Sequence, residues 1–459
     1  MLTIYKITAD IIFPEGAAPG AGSSSNRHVL ARNGNQKTIL RGSVLAGVLR
    51  HAYAERLGMS SLEDPVSRWF GEGADPDEDN SSCIRVADAV IRCATVNERT
   101  HNLINRHTGA PAKGGLFSFE AIPPMSKAIL SIILEPGAGE SEEYDAFIDH
   151  LVGILGTGLL VGGHTNRGVG RMMLVDDVSV RDFDLATVDG SADFLDAQYE
   201  EMNKGVVLSG RKFRPETQQN HLEIKLELGI PRGEDLLIGD GQETDYALNP
   251  QSVIFNDGSE HWRIPGSSLR GVVRAWMTRL AARDGETITD SVNNWYDRCD
   301  DPKKSYKPDL IGWGFKDTQD RARYQEYPDL LDDPILDLFG SMYKKGRIHI
   351  SDVFSRPMEQ QDVQDRYHVA VDRFSGGANE GALFDNQVLA GTQLIFPVTI
   401  LLSTPREKEV QWLVKTLRAL HLGILSVGSS KSGGRLEIKS ISARGSESQT
   451  ITAFAREIE

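Results

Sequence analysis

The chain has 459 residues, 40% of them hydrophobic and 25% charged, the composition of a folded protein long enough to bury a sizeable core without staples. Fifty Lys and Arg against 65 Asp and Glu leave a net charge of −15, so bulk charge does not draw it to nucleic acid or to an anionic membrane. Three cysteines, Cys83, Cys93 and Cys299, with no CxxC pair exclude a disulfide scaffold and a cysteine-rich zinc site, as a reduced compartment permits.

The opening MLTIYKITADIIF alternates as a β-strand and lacks the small-residue cleavage site of a signal peptide. A long polar loop follows, then a helix whose stripe is Leu45, Val48, Leu49 and Ala52. Strands are predicted at 83–91 and 128–135, a second helix at 142–155, then a Gly-rich turn at 161–171 and a last strand. The best apolar stretch, 151–161, is broken by glycines and far below the roughly 18 residues that span a bilayer, so the expected location is cytoplasmic. Residues 183–220, with the polar, locally basic SGRKFRPETQQN at 209–220, read as a linker. The same order then returns: a strand at 221–230, a loop, a helix striped by Leu269, Val272, Val273, Trp276, Met277 and Leu280 with Ser267 or Ser268 as N-cap, strands at 346–354 and 393–402, a helix at 407–422 and a final strand. Residues 285–330, with Trp295, Tyr296 and Trp313 among many charges, read as a surface insertion, and 446–459 as a tail. Strand–helix–strand–strand–helix–strand is the ferredoxin-like arrangement, which makes the predicted class α+β.

Four segments match in collinear order. LRGSVLAGVLR (40–50) matches IPGSSLRGVVR (264–274), and DPVSRWFG (64–71) matches DPILDLFG (333–340). NRHTGAPAKGGLF (105–117) matches DRFSGGANEGALF (372–384), and VGGHTNRGVGR (161–171) matches VGSSKSGGR (427–435). The period is too long for a solenoid, so the chain reads as two fused copies of one domain, 1–182 and 221–445.

GSSLRGVVR is suited to phosphate: a helix start offers N–H groups, serines add donors, and Arg270 and Arg274 lie one turn apart on one face. It also fits an ordinary capped helix on a Gly turn. The second Gly-rich element offers Arg167 and Arg171 in one copy and Lys431 and Arg435 in the other. It is not a Walker A loop, because Ser430 precedes Lys431, and it does not follow a first strand as a dinucleotide fingerprint does.

Together these motifs resemble the RAMP superfamily of CRISPR-associated proteins. DLFGS, GRIHISD and VDRFSGGANEGALF narrow the likeness to the crRNA-binding backbone subunits of type III CRISPR effector complexes. The two-copy chain is most similar to the fused double-backbone subunit of type III-D-like systems. The resemblance implies two tandem ferredoxin-like (RRM-like) RAMP domains with β-hairpin thumbs, around 94–117 and 356–384. It implies a grip on crRNA by Ser43, Arg50, Arg167, Arg171, Ser267, Ser268, Arg270, Arg274, Lys431 and Arg435, with Arg106 and Arg373 on the thumbs. Its partners would be crRNA, target RNA and other subunits of the effector complex, with no membrane.

The resemblance also implies an endoribonuclease that cuts target RNA beside each thumb, using an aspartate in the loop after the first strand and a divalent metal, here Mg2+. In copy two that loop carries Asp240, Glu243, Asp245 and Asp257; Asp245 is the expected catalytic residue and metal ligand, with Asp240 second. Copy one has only Glu15, with Ser25, Asn26, Arg27 and His28 where the acid belongs, and is expected to be inactive. Ala46 stands where copy two has Arg270. His101 and His107 lack the further ligands a zinc site needs and suit contact with RNA; Asp88 and Asp352 suit turn capping. A non-catalytic scaffold is the alternative. A guide-maturation nuclease would need a compact His/Tyr/Lys site that these residues do not assemble.

Overall fold

A computed structural model describes residues 3–20, 28–59, 64–71, 81–104, 111–135, 141–214, 220–240, 248–288, 333–340, 345–391, 393–428 and 434–458. The chain forms two compact units. The first comprises Met1–Thr165, Val169–Gln218 and Val253–His261; the second comprises Asn166–Gly168, Gln219–Ser252 and Trp262–Glu459.

The first unit opens with β1 (Thr3–Phe13), β2 (Ile39–Leu40), α1 (Gly42–Leu57), α2 (Val66–Phe70), β3 (Ile84–Val86) and β4 (Ala89–Val90). It continues with β5 (Asn97–Ile104), β6 (Pro111–Ala121), β7 (Ser126–Leu134), α3 (Ser141–Thr157), β8 (Leu159–Leu160), β9 (Arg171–Leu174), β10 (Val178–Asp184), α4 (Val188–Lys204) and β11 (Arg211–Phe213). The main sheet runs β11-β10-β1-β7-β3. β1 lies antiparallel between β7 and β10, with Ile7 opposite both Ile132 and Val180. Alternation along β1 sends Ile7, Ala9, Ile11 and Phe13 into a core shared with Leu45 and Leu49 of α1 and Phe147, Ile148 and Leu151 of α3. Gly58, left-handed at φ 67°, ends α1.

The intervening β1 residues Lys6 and Thr8 are also buried. Here the structure corrects the linker: 183–220 carries α4 and β11, and β11 pairs with β10. Lys6 makes an ion pair with Glu201 of α4, and the Leu208 N–H donates to Thr8 Oγ1 at 3.2 Å. Phe183, Ala197 and Leu208 form a small core of their own. A strand carrying a buried lysine needs a partner carboxylate, and α4 supplies it.

The second unit contains β12 (His221–Gly229), β13 (Ser252–Ile254, which begins in this unit), β14 (Glu260–Ile264, which ends in it), α5 (Gly266–Arg283), α6 (Pro334–Phe339), β15 (Ile348–Ile350) and β16 (Val353–Pro357). Then come β17 (Val363–Val371), β18 (Ala378–Leu389), β19 (Ile395–Ser403), α7 (Glu407–His421), β20 (Glu437–Gly445) and α8 (Ser448–Ile458). Its main sheet runs β15-β19-β12-β20, all antiparallel. Leu222, Ile224, Leu226 and Leu228 join Leu269 and Met277 of α5 and Trp412 and Leu413 of α7 in one core. Within the tail, α8 buries Ile451 and Phe454 in that core. Residues 289–330 of the expected insertion lie outside the described residues.

Both units are therefore α+β, with two helices on one face of an antiparallel sheet. Counted by chain position within β10-β1-β7-β3 and within β20-β12-β19-β15, the strands of each take the order fourth-first-third-second. Each unit also has a two-stranded hairpin, β5–β6 and β17–β18, a few residues beyond the predicted thumbs.

Candidate functional site

In each unit the loop after the first strand is fastened to the second strand of the hairpin. His28 forms a parallel bridge with Phe119, and the Glu120 N–H donates to the His28 carbonyl at 3.0 Å. Leu248 forms a parallel bridge with Asn386, and the Gln387 N–H donates to the Leu248 carbonyl at 3.0 Å. In the second unit Leu236 and Leu389 also exchange backbone bonds of 2.9 and 2.8 Å. The loop carrying the expected acids is thus closed at its base and held against the hairpin. The Asp240 N–H donates to the Asn249 carbonyl at 3.0 Å, and Gln251 Nε2 donates to the Gly239 carbonyl at 2.7 Å. Asp240 is half-buried at this base, while Glu243 and Asp245 lie outside the described residues. Asp257 is a turn former: it accepts from the Ser259 N–H at 2.9 Å and the Ser259 hydroxyl at 2.5 Å, which hold its carboxyl below the ordinary range.

The helix starts differ from the sequence expectation. The N-cap of α5 is Pro265, with no side-chain bond, so neither Ser267 nor Ser268 caps it. Instead the Gly266 N–H donates to Asp352 Oδ1 at 2.8 Å, and the Gly42 N–H donates to Asp88 Oδ1 at 2.7 Å. In each unit a carboxylate from beyond the second strand occupies the positive end of the helix, which opposes a phosphate at that N–H. The repeated glycine serves packing. A Cβ on Gly42 would stand 2.0 Å from the Val86 carbonyl, and one on Gly266 2.4 Å from the Ile350 carbonyl. Ser43 is exposed; Ser267, Ser268 and Arg50 are half-buried.

Several expected grip residues are engaged within the fold. Arg171 is buried and bonds both oxygens of Glu15, at 2.8 and 3.3 Å. It therefore serves as the inner half of an ion pair and does not face a guide. Arg270 donates to the Phe339 carbonyl and lies 5.3 Å over the Phe339 ring. Burial, with Arg274 nearby, pushes its guanidinium down to about 10, as burial does for Arg167. Arg274 is half-buried beside it. Arg435 is exposed and 3.3 Å from Glu234. Arg106 and Lys431 lie outside the described residues, as does His107.

The glycine loops close on themselves. The Val161 N–H donates to the Gly170 carbonyl at 2.8 Å, and the Val427 N–H to the Gly434 carbonyl at 2.9 Å. Both glycines have positive φ, and a Cβ on Gly434 would sit 2.0 Å from the Val427 carbonyl.

The hairpins carry the exposed groups. Arg373 is exposed in the tip of β17–β18, and Phe374 beside it is 99% exposed. Asp372 shapes that tip, accepting from the Phe374 and Ser375 N–H groups at 3.0 and 2.7 Å. Tyr367, Val369 and Leu383 are exposed on one hairpin face, and Ile104 and Leu116 on the other unit's hairpin.

One matched feature escaped the sequence reading: a cross-strand His–Phe stack, His101 on Phe117 at 5.8 Å and His368 on Phe384 at 5.1 Å. The two residues have equal spacing in both copies, a signal present in the repeat itself. The first unit extends its stack, with Phe119 between His101 and His164, at 5.3 and 4.1 Å, and His28 edge-on to His164 at 4.7 Å. Among the described residues no helix is long and apolar enough to cross a membrane.

A family model described as RAMPs, the RAMP superfamily, matches residues 16–173 and 235–437. No curated protein matches the chain.

Proposed function

The chain belongs to the RAMP superfamily, and from that premise we propose that it is a crRNA-binding backbone subunit of a type III CRISPR ribonucleoprotein, made of two tandem ferredoxin-like domains that pair a guide with target RNA. The family supports RNA and effector-complex partners and an RNA-binding role. The strand order fourth-first-third-second, found twice, supports the ferredoxin-like assignment.

The observation that carries the reading is the loop-to-hairpin clamp. In each unit it joins the loop expected to act on target RNA to the hairpin expected to part the guide–target duplex. The guide grip falls to exposed or half-exposed groups: Ser43, Arg50, Ser267, Ser268, Arg274 and Arg373.

For cleavage, the reading assigns the second unit. Asp240, a hard oxygen donor half-buried at the clamped loop base, suits a divalent cation, and Asp245 would complete the pair. A bound Mg2+ would offset the charge that develops on the phosphate as a 2′-hydroxyl attacks. The chain's own part is to tie the base of the loop through the Asp240–Asn249 bond and to set the target strand by the hairpin. Counted from the matching bridges at His28 and Leu248, Ser25 corresponds to Asp245. The first unit therefore lacks an acid at that position.

Two experiments test this. RNA that co-purifies with the native particle is sequenced; repeat-derived guides are the expected result, and a particle free of them would refute the assignment. A labelled target is then cut by the assembled particle with and without chelator. Asp245→Ala should abolish one metal-dependent cut while leaving guide and target binding intact, and Ser25→Asp should add a second cut. A product set unchanged by Asp245→Ala would leave the scaffold reading.

A further inference from the structure

Helix α4 lies in residues 174–234, which the family model does not match. Its inner face is fully used. Glu201 holds the buried Lys6, Ala197 packs with Phe183 and Leu208, and Phe194 covers them. Both ends are closed: Thr187 accepts from the Gly190 N–H at 3.0 Å, and Gly205 turns left-handed with its N–H bonded to the Glu201 carbonyl. Arg92 donates to the Gly205 carbonyl at 2.5 Å, and Ser179 Oγ to the Leu208 carbonyl at 2.6 Å. The helix is anchored to the sheet along its length.

Its outer face is apolar in one line. Val188, Ala192, Leu195 and Tyr199 recur at i, i+4, i+7 and i+11, a stripe roughly 16 Å long at 1.5 Å per residue. Val188 is 85% exposed, Leu195 66% and Tyr199 67%. About 100° around the axis, on one flank only, Asp189, Asp193, Asp196 and Glu200 form an exposed acidic ridge. Asp193 leans on Arg181 at 3.6 Å. The other flank carries Ser191 and Gln198. Nothing about anchoring the helix calls for large apolar side chains on the side turned to water.

We propose that α4 is a docking surface for an amphipathic helix of a different polypeptide, whose apolar stripe packs along Val188, Ala192, Leu195 and Tyr199 and whose Lys/Arg ridge lies against Asp189 and Asp196. The ridge selects the occupant by charge. It repels RNA phosphate and anionic lipid, and a second α4 packed antiparallel would set acid against acid. The straight stripe beside a single charged flank is the pattern that pairs helices in register.

The test uses the native particle, with Ala192 replaced by the photo-crosslinker p-benzoylphenylalanine and the cross-linked peptides identified by mass spectrometry. The expected product joins α4 to a segment of another polypeptide with apolar residues at i, i+4 and i+7 and a net positive charge. Cross-links confined to RNA, to a second copy or to this chain's own residues 289–332, or no cross-link at all, would overturn the proposal. In the same background Leu195→Glu and Asp196→Lys should each cut the cross-link yield at least tenfold. Hydrogen exchange in α4 should stay as in the parent, since these side chains face solvent. An unchanged yield in the charge-reversed protein would likewise overturn it.

Discussion

Replacing Asp352 by Ala should loosen α5 far more than Asp88→Ala loosens α1, although both aspartates bond the first helical N–H. Asp352 also holds Arg263, with Arg263 Nε 2.8 Å from Asp352 Oδ2 and both side chains buried, at 4% and 0% exposure. Removing one partner of a buried pair costs about 3–5 kcal/mol, and loss of the cap adds about 1 kcal/mol. Because Gln251 Oε1 still accepts from Arg263 at 3.0 Å, the lower part of that range applies, about 4 kcal/mol in all. Asp88 is exposed and supplies a cap alone, so its loss costs about 1 kcal/mol. Hydrogen-exchange mass spectrometry reads the two helices separately within one chain. Amides in 266–283 should exchange roughly a thousandfold faster in Asp352→Ala, and those in 42–57 about fivefold faster in Asp88→Ala, at 1.4 kcal/mol per tenfold. Asp352→Asn, which keeps an acceptor for Gly266 but not the charge, should fall between. Equal losses at the two sites would refute the assignment of the second carboxylate oxygen to a buried ion pair.

Arg171→Ala should destabilise the first unit by about 3–5 kcal/mol in denaturant unfolding, since it strands the buried Glu15, yet leave the salt dependence of guide binding unchanged. Arg373→Ala should do the reverse, with no loss of stability and a salt slope shallower by roughly 0.7 if it holds one phosphate. Asp284 accepts from the Trp412 indole N–H at 2.8 Å, which with Arg283 holds its carboxyl below the usual 3.8. A depressed carboxyl stabilises the fold above its unfolded value, and that contribution disappears as pH falls through the lower folded value. The indole N–H resonance of Trp412 should therefore titrate with a midpoint below 3.8, and a midpoint at or above it would refute the contact.

The duplication and most of its elements were legible in the chain. Alternation in HLEIKLELG and the 3.6-residue stripe of α5 are direct prints of a sheet with helices on one face, so β12, β19, α5 and α7 fall where periodicity puts them. The places of Asp88 and Asp352 at strand ends suit turn capping, and they cap, but their targets lie 46 and 86 residues away, a distance that local pattern does not encode. The linker reading failed for a related reason. The residues of α4 that face the sheet are few, Phe194, Ala197 and Glu201, while Val188, Leu195 and Tyr199 face outward, and its anchor is a lysine in a strand.

What the sequence by itself determined is which residue types are present and how often they repeat: two copies, an acidic loop in one and not the other, arginines and glycines at matched places. What the tertiary structure decided is how each charge is spent. Arg171 and Arg373 look alike as basic residues in duplicated loops, yet one closes on Glu15 inside the first unit and the other stands in solvent at a hairpin tip. A guanidinium is available to a phosphate only where no carboxylate or carbonyl has been folded against it. That depends on contacts between residues far apart in the chain, 156 positions in the case of Arg171 and Glu15, and these exist only once the sheet has formed.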